Sequence, residues 1–451
     1  MGSNSREEED NHHVIDIWKV DSERLASMQL KISENPKLLS KVAGKRSCCI
    51  FRVPQSLIEV NGKAYQPRIV SIGPYHRGQP RLNMIEEHKW RYLGSLLSRT
   101  TQTKGLGLED LLKAIAMLES EARECYSETI QLDSHEFIEM MVLDGCFIVE
   151  LFRKVSKLVP FEVDDPLVTM SWILPFFYRD FLKLENQIPF FILQRLFELS
   201  KLPSEKSTPT LSTLALEFFN NSMLRPDEVI AKQSDMKGKH LLDLVRSSFI
   251  PSDQETEPKR VITPTHVIHC VSKLRRAGIK ITPAKDSESF LHLTFRHGVI
   301  EMPTITVDDF MSSFLLNCVA FEQCYSGCSM QFTTYVTLLD CLINTYRDVE
   351  YLCDRNIIEN HFGKEGEVAQ FINNAGKDVA VDLDTSYLSE LFNQVHQYYH
   401  SSWHVQWASF KYTYFDTPWS FISALAAFIL LVLTVGQTYF AAYQYFDSLK
   451  S

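Results

Sequence analysis

Apolar residues recur at intervals of three and four positions along most of the chain, and this spacing predicts helices with one buried face. Residues 21–39 carry Leu25, Met28 and Ile32 on one stripe, which predicts an amphipathic helix. The most apolar segment, 137–155, follows Ser134 as a predicted cap and is expected to lie in the core. Further helices are predicted at 108–125, at 263–274 with Gly278 closing it, at 332–352, and from Asp384 past Val395.

A different pattern, alternation of apolar and polar positions, marks a few short strands. Residues 290–295 and 299–307 flank Arg296-His297-Gly298, and this turn between alternating segments predicts a small β-hairpin. Residues 49–53 are a second extended stretch. Polar stretches at 202–210 and about 250–265 are predicted loops, the second being the best internal boundary. The predicted fold class is mainly α, a large helical body with a minor β-hairpin.

The last apolar segment lacks a polar face. No charged residue occurs between Thr417 and Phe446. At about 1.5 Å per residue, positions 419–439 cover roughly 30 Å, the thickness of a hydrocarbon core, which predicts one C-terminal transmembrane helix. The alternative is a core helix of a soluble domain, but core helices seldom run this long without a charge. The predicted span includes Trp419, Phe421, Leu425, Phe428, Leu431, Val435 and Tyr439.

The flanks of this span predict its start and its topology. Asp416 and Thr417 precede Pro418, an arrangement that favours a helix start, and an aromatic helix at 398–407 is expected to join the body to the span. Only a short tail follows, so we expect insertion after translation, as a single-pass anchor with a cytosolic body, at the plasma membrane or an endomembrane. Ser423 and Ala427 offer a small-residue face for homo-oligomerisation.

These patterns divide the chain of 451 residues into four parts. The predicted parts are a polar N-terminal extension with an amphipathic helix (1–46), a helical domain (47–416), a transmembrane helix (417–443) and a short tail (444–451). The helical domain is long enough to bury a large core.

Composition adds mainly exclusions. The net charge of −10 and the pI of about 5.8 leave no basic field for a phosphate backbone, so no nucleic-acid partner is expected. Ten cysteines are thinly spread, without the framework of a small secreted domain, which favours a reducing compartment. The polar N-terminus has no signal-peptide pattern, and Arg6 stands where a myristoylation signal needs Ser or Thr. The glycosylation-type triplet at Asn220 is uninformative by itself.

Motifs for metals and phosphates are incomplete. His135 and Glu136 begin like a zinc-protease helix, but Glu139 replaces the second histidine. A zinc site would need a second ligand pair beside Cys318, Cys324 and Cys328, and none is present. We therefore predict that these cysteines are buried thiols. Gly44-Lys45 lacks the other residues of a phosphate-binding loop. The sequence therefore predicts no metal and no cofactor.

Several polar residues nevertheless stand out. Asp144 lies inside the apolar segment 137–155, and a buried carboxylate needs an arginine, a lysine or a helix N-terminus as partner. The alternative is a catalytic carboxylate with a perturbed pKa. His88 and Tyr92, four positions apart, share a helix face and are expected to be a structural pair. Glu185-Asn186-Gln187 is expected to cap and turn a helix, its amides serving backbone groups.

Several motifs together resemble a known family. They occur in this order: Phe51-Arg-Val-Pro54, Tyr65-Gln-Pro67, Val70-Ser-Ile-Gly-Pro-Tyr-His76, Glu87-His-Lys-Trp-Arg-Tyr-Leu93, Met140-Met-Val-Leu-Asp-Gly-Cys-Phe147, Leu184-Glu-Asn-Gln-Ile-Pro-Phe-Phe191, His240-Leu-Leu-Asp-Leu244, Ala320-Phe-Glu-Gln-Cys324, Asp340-Cys-Leu-Ile-Asn344 and Pro418-Trp419. Over residues 47–443 the chain resembles the plant family called domain of unknown function 247, also known as uncharacterised protein family 0481.

The resemblance implies a plant-specific, mainly helical protein with a C-terminal membrane segment. Some family members are associated with reproductive recognition, including self-incompatibility, and with developmental control, while no catalytic residues are established for the family. We therefore expect a membrane-anchored interaction or recognition protein, with membrane lipid and an unidentified protein as partners. The alternative is an unrecognised hydrolase-like enzyme, in which Asp144 and His88 would act with Tyr75 or His76, on a loop, nearby.

Overall fold

The computed structural model of the protein describes residues 21–34, 36–202, 209–251, 266–285, 287–400 and 418–448. Most of the described residues are helical, which confirms the predicted fold class. The helices are α1 (Ser22–Ser33), α2 (Gln55–Asn61), α3 (Asn83–Lys104), α4 (Leu108–Ala116), α5 (Glu119–Glu124), α6 (Ser134–Val155), α7 (Pro166–Thr169), α8 (Ile173–Asp180), α9 (Phe190–Ser200), α10 (Leu211–Met223), α11 (Asp227–Ala231), α12 (Leu241–Ser247), α13 (Val271–Arg276), α14 (Asp309–Cys324), α15 (Gln331–Leu342), α16 (Tyr346–Asp354), α17 (Glu365–Ala375), α18 (Ser389–His400) and α19 (Pro418–Ser448).

Helix α6 is the centre of the body. Its residues from Met140 to Lys154 are buried without interruption, and it packs against α3, α4, α9 and α10. The cap is Asp133, whose carboxylate accepts from the Glu136 N–H at 2.8 Å, while Glu136 accepts from the Asp133 N–H at 3.2 Å. The predicted cap, Ser134, is therefore wrong by one residue, and its hydroxyl donates to Glu119 instead.

Two segments predicted as single helices are each two helices. The segment 108–125 breaks after Ala116 into α4 and α5, which allows the Cys125 carbonyl to accept from the N–H groups of Cys49 and Ile50. The segment 332–352 breaks into α15 and α16 because Thr345 caps the second helix, with Asp348 accepting from the Thr345 N–H at 3.1 Å.

Other helix boundaries also differ from the predictions. Helix α1 ends at Ser33 instead of residue 39, because Pro36 disfavours a helical residue before it. The helix predicted at 263–274 begins only at Val271; Thr263 lies outside the described residues, and Gly278 follows the helix with a φ of 86°. The helix predicted from Asp384 begins at Ser389, after a short 3-10 turn.

The predicted hairpin is confirmed, with shorter strands. Strands β2 (Thr294–Arg296) and β3 (Val299–Met302) pair antiparallel, and β1 (Lys280–Pro283) pairs with β3 in parallel. The two turn residues both have positive φ, 50° at His297 and 78° at Gly298, as a tight hairpin requires.

The predicted strand 299–307 is interrupted, since Pro303 cannot donate a ladder hydrogen bond. Its second half, β4 (Ile305–Val307), pairs in parallel with β5 (Ile358–Asn360). The predicted extended stretch 49–53 contains one isolated bridge, between Ile50 and Tyr126. The β content is thus small and local, while one connected apolar core runs from Cys48 to Val395.

Two segments lie outside this core. Helix α1 has no buried residue, and its predicted apolar stripe of Leu25, Met28 and Ile32 is exposed. In α19, the stretch Ile422–Ala442 is long and apolar enough to cross a membrane, and none of it is buried. Residues 401–417, with most of the predicted aromatic helix 398–407 and with Asp416, lie outside the described residues.

Candidate functional site

A buried loop without regular structure, residues 67–76, is the centre of the candidate site. Because no helix or strand partner satisfies its backbone, side chains must do so. The carboxylate of Asp180 accepts hydrogen bonds from three successive N–H groups, those of Arg68, Ile69 and Val70, at 2.9, 2.8 and 3.2 Å. The last residue of helix α8, Asp180, thus holds the start of the loop.

Asn186 holds the middle of the same loop. Its Oδ1 accepts from the Ile72 N–H at 2.7 Å, and its Nδ2 donates to the carbonyls of Val70 at 3.2 Å and Asp180 at 3.0 Å. Gln187 works differently: it donates to the Phe181 and Lys183 carbonyls and accepts from the Leu242 N–H. These amides therefore serve backbone groups, as expected: three lie four to six residues earlier, at and just after the end of α8, and three lie in distant parts of the chain.

Asp144 connects the loop to the centre of the body. Its Oδ2 accepts from the Gly73 N–H at 2.8 Å, and its Oδ1 lies 2.6 Å from the ammonium of Lys89. Lys89 also pairs with Glu86 and donates to the Ser71 carbonyl. Asp144 is 2% exposed and Lys89 1%. The carboxylate therefore has a lysine and a backbone donor and no open face, which removes the catalytic carboxylate from the hydrolase hypothesis.

Gly73 sets how closely the loop approaches the rest of the site. It has a φ of 75°, where a side chain is strained. A Cβ at this position would lie 2.4 Å from the Gln187 carbonyl oxygen. That same oxygen accepts from the Tyr126 hydroxyl at 3.0 Å. Glycine is thus required both by the backbone conformation and by the contact.

The end of the loop, at His76, contacts the carboxylate of Glu185. This carboxylate accepts from the Val53 N–H at 2.8 Å and from Arg52 at 2.9 Å, and His76 Nε2 lies 3.2 Å away. Burial raises the pKa of Glu185, but the donors His76, Val53 and Arg52 together outweigh it, so its pKa lies below the ordinary value. Only Arg52 in this group is well exposed, with 40% of its side chain accessible.

Tyr75 also lies at this end of the loop. The Arg52 guanidinium lies 4.2 Å from the centre of its ring, and its hydroxyl lies 3.3 Å from the Ile50 carbonyl and 3.2 Å from Ser127. Burial raises the pKa of Tyr75 well above its ordinary value, so the phenol stays protonated. We call the residues Arg52, Tyr75, His76, Lys89, Asp144, Asp180, Glu185, Asn186 and Gln187, with the loop 67–76, the polar knot.

The structure brings five of the six candidates together in the polar knot: Tyr75, His76, Asp144, Glu185 and Asn186. His88 is partly buried on α3 and makes none of the knot's hydrogen bonds. Tyr92, its expected pair, donates to Asp165 at 2.9 Å instead. The knot also contains Lys89 and Asp180, which the sequence analysis did not single out. Lys89 carries a detectable signal, because it lies on the buried stripe Ile85, Lys89, Tyr92, Leu93 and Leu96 of α3.

The chemistry available in the knot is structural. The sulfur of Cys324 lies 4.0 Å from the Arg52 carbonyl oxygen, and burial raises the pKa of this thiol to about 12, so it is not an activated nucleophile. Across the part of the chain that the structure describes, no three His, Cys, Asp or Glu side chains are grouped to hold a metal ion. What the arrangement does is fix a buried loop by charged and amide side chains.

The comparisons with known proteins agree with the motifs that meet in this knot. A family model described as a plant protein of unknown function, DUF247, matches residues 50–433, and the chain belongs to that family. The chain is similar to the UPF0481 protein At3g47200 of Arabidopsis thaliana, with 38% identity over 439 residues, covering 93% of this chain and 91% of the relative.

A second relative is more distant. The putative UPF0481 protein At3g02645 of Arabidopsis thaliana is 23% identical over 488 residues, covering 86% of this chain and 89% of the relative. No solved structure matches the chain. The short motifs that identified the family supply Arg52, Tyr75, His76, Lys89, Asp144 and 185–187, so several of the family's motif residues are here the residues that tie the loop 67–76 in place.

Proposed function

We propose that the protein is a membrane-tethered interaction protein, whose helical body is held at the cytosolic face of a membrane and binds a protein partner there. The observation that carries the proposal is α19, a helix of 31 residues whose stretch Ile422–Ala442 is apolar and not buried. Bare apolar surface of this extent promotes aggregation in water, whereas a helix satisfies its own backbone in lipid. Lipid is therefore the environment that suits α19.

Two features of the body support the cytosolic side. All ten cysteines are free thiols, including the adjacent Cys48 and Cys49, and free thiols persist in reducing compartments. The acceptor of the glycosylation-type triplet, Asn220, donates to the Arg225 carbonyl and accepts from the Arg225 N–H, both at 2.9 Å. A glycan on that amide would disrupt these hydrogen bonds, which favours a compartment without glycosylation.

A recognition role is supported by the way the body uses its polar side chains. The charged side chains of the polar knot hold the loop 67–76, and the Cys324 thiol beside it is not activated. Association of some family members with recognition and development points in the same direction. The proposal therefore assigns binding, rather than bond-making chemistry, to the body.

The tether is tested by charge placed in the middle of α19. The double change Leu431→Arg and Val432→Arg is expected to move the full chain from the membrane pellet to the soluble fraction after carbonate extraction, since each arginine costs about 2.5–3.5 kcal/mol at the centre of a span. The matched control, Leu431→Ile with Val432→Ile, keeps the helix apolar and should stay in the pellet. Pelleting of the arginine variant would contradict the tether.

Topology and partner require separate measurements. Protease added to sealed microsomes should digest the body and leave little beyond the span; full protection of the body would place it on the other side.

Proximity labelling with the wild-type chain and with the arginine double variant should reveal proteins labelled only by the tethered form. An identical set of labelled proteins from both forms would contradict a partner bound at the membrane.

A further inference from the structure

A cavity of about 440 Å³ lies beside the polar knot and shares Arg68 and Asp180 with it. Its volume falls in the ~300–1,000 Å³ range of small-molecule sites. The segment 60–64, the end of α8 and the start of α14 form its walls, with Val60, Leu316 and Phe371 as apolar surface. Its charged lining residues are Lys63, Arg68, Arg179 and Lys183 as cations, and Asp180 and Asp309 as carboxylates.

Lys183 is the unusual member of this lining. Its side chain is 3% exposed, and its ammonium donates to the Ala64 carbonyl and to the Ser313 hydroxyl. Neither acceptor carries a charge. Within the residues that the structure describes, no carboxylate lies at ion-pair distance from this ammonium. A buried ammonium is costly unless a negative charge compensates it.

The two carboxylates of the cavity are already committed. Asp180 accepts from the N–H groups of Arg68, Ile69 and Val70, so its oxygens face the loop 67–76. Asp309 is 76% exposed and lies 3.1 Å from Arg179. The lining is therefore positive on balance, and its one buried cation, Lys183, has no carboxylate at ion-pair distance among the described residues.

We propose that this cavity binds a small organic carboxylate, with the carboxylate group against Lys183 and an apolar body against Val60, Leu316 and Phe371. The single buried ammonium suits a monoanion on an apolar body. A phosphoryl group, which calls for several convergent donors or an arginine fork, fits less well, because Arg179 pairs with Asp309 and the remaining cations, Arg68 and Lys63, are exposed.

The charge state of Lys183 gives the site a recognisable signature. Burial lowers its pKa to about 7, nearby Arg179 and Arg68 lower it too, and Asp180 partly opposes them. A bound anion favours the charged amine, so binding at a pH above about 7 must take up a proton. Affinity for a carboxylate then falls by up to about tenfold for each pH unit above 7, whereas affinity for an uncharged ligand does not.

The test uses the full chain in lipid nanodiscs and two probes of the same shape, 3-phenylpropanoate and 3-phenylpropanamide. Calorimetric titration near pH 7 should show binding of the carboxylate at least tenfold tighter than binding of the amide. Repeating the titration near pH 8 in two buffers of different ionisation enthalpy should show uptake of a proton with the carboxylate. Equal binding of both probes, or no binding of either, would overturn the proposal.

Two variants test whether Lys183 supplies the charge that binds the carboxylate. Lys183→Met should weaken 3-phenylpropanoate binding at least tenfold, while Lys63→Met, at the exposed rim of the same cavity, should change it less than threefold. Should Lys183→Met fail to fold, the pH series and the proton uptake of the wild-type chain still decide. Tighter binding of phenyl phosphate than of 3-phenylpropanoate would replace the carboxylate by a phosphoryl ligand and refute the assignment.

Discussion

Two buried lysines of the body, Lys89 and Lys183, have opposite surroundings. Lys89 is 1% exposed, lies 2.6 Å from Asp144 and 2.5 Å from Glu86, and donates to the Ser71 carbonyl. Lys183 is 3% exposed and donates to a carbonyl and a hydroxyl, and no carboxylate of the described residues lies at ion-pair distance from it. One ammonium is compensated inside the fold, and the other is not.

This difference separates a charge that stabilises the fold, that of Lys89, from a charge that is free to bind a ligand, that of Lys183. The pair of Lys89 and Asp144 joins α3, α6 and the loop 67–76. Because the two charges are opposite and in contact, each offsets part of the free-energy cost of removing the other from water. Lys183 instead faces a cavity that could admit a ligand. A buried cation with a built-in partner indicates architecture, whereas one beside open space indicates a binding site.

The largest effect is expected from breaking the compensated pair. Asp144→Ala leaves Lys89 charged and buried beside only Glu86, and should lower the free energy of unfolding by about 3–5 kcal/mol. Urea titration followed by tryptophan fluorescence measures it. The control, Glu139→Ala, lies on the same helix but has a 51% exposed side chain, 3.7 Å from Arg77, and should cost less than about 1 kcal/mol. Similar losses in both variants would contradict the structural role of the pair.

The close approach of the loop to the knot gives the next effect. Gly73→Ala should cost about 2–4 kcal/mol, because its Cβ meets the Gln187 carbonyl and its φ is positive. Gly78→Ala is the matched control: its φ is 79°, but nothing lies within 4 Å of the added Cβ, so only the conformational cost of about 1 kcal/mol remains. Equal costs, measured by thermal unfolding, would show that the contact does not matter.

Replacing each lysine by methionine should change stability in opposite directions. Lys183→Met is expected to raise the free energy of unfolding near pH 7 by about 1–3 kcal/mol, and Lys89→Met to lower it, since it strands Asp144. The pKa of Lys183 is lower in the folded chain, so the unfolded chain binds more protons between about 7 and 10.5, and wild-type stability rises with pH there. Lys183→Met should remove that rise; its persistence would contradict the assignment.

The smallest effect is expected at Arg52, a half-exposed cation at the edge of the knot. Arg52→Ala should cost about 1 kcal/mol near neutral pH, since solvent screens its pair with Glu185. The pKa of Glu185 is lowered in the folded chain, so its stabilisation is present above its unfolded pKa and lost as the pH falls through the folded value. The difference between variant and wild type should therefore shrink in acid denaturation; a constant difference would contradict this.

The sequence predicted those parts of the molecule that depend on local pattern. The helical fold class and the hairpin at His297-Gly298 follow from periodicity and turn chemistry, and Asp144 required a partner because it lies in an apolar helix. The identity of that partner was detectable as well, since Lys89 stands on the buried stripe of α3. The break before Thr345 also had a signal, the Thr345–Asp348 capping box, which periodicity concealed.

Other features have no local signal. Met117 and Leu118 separate α4 from α5 without a glycine or proline, and the break serves the distant pairing of Cys125 with Cys49. Lys183 follows α8 between two leucines, where nothing shows that it will be buried beside a cavity. Such positions are decided by contacts between distant parts of the chain.

The attachment of the loop 67–76 also determines when the body can form. The loop is anchored by Asp144, Asp180 and Asn186, which lie 71, 112 and 114 residues away from the groups that they hold. During synthesis the N-terminal part must therefore wait, with its backbone groups solvated, until residue 187 has left the ribosome. Contacts of this range slow folding and expose apolar surface meanwhile, so the nascent chain is a natural client for chaperones before its last helix is made.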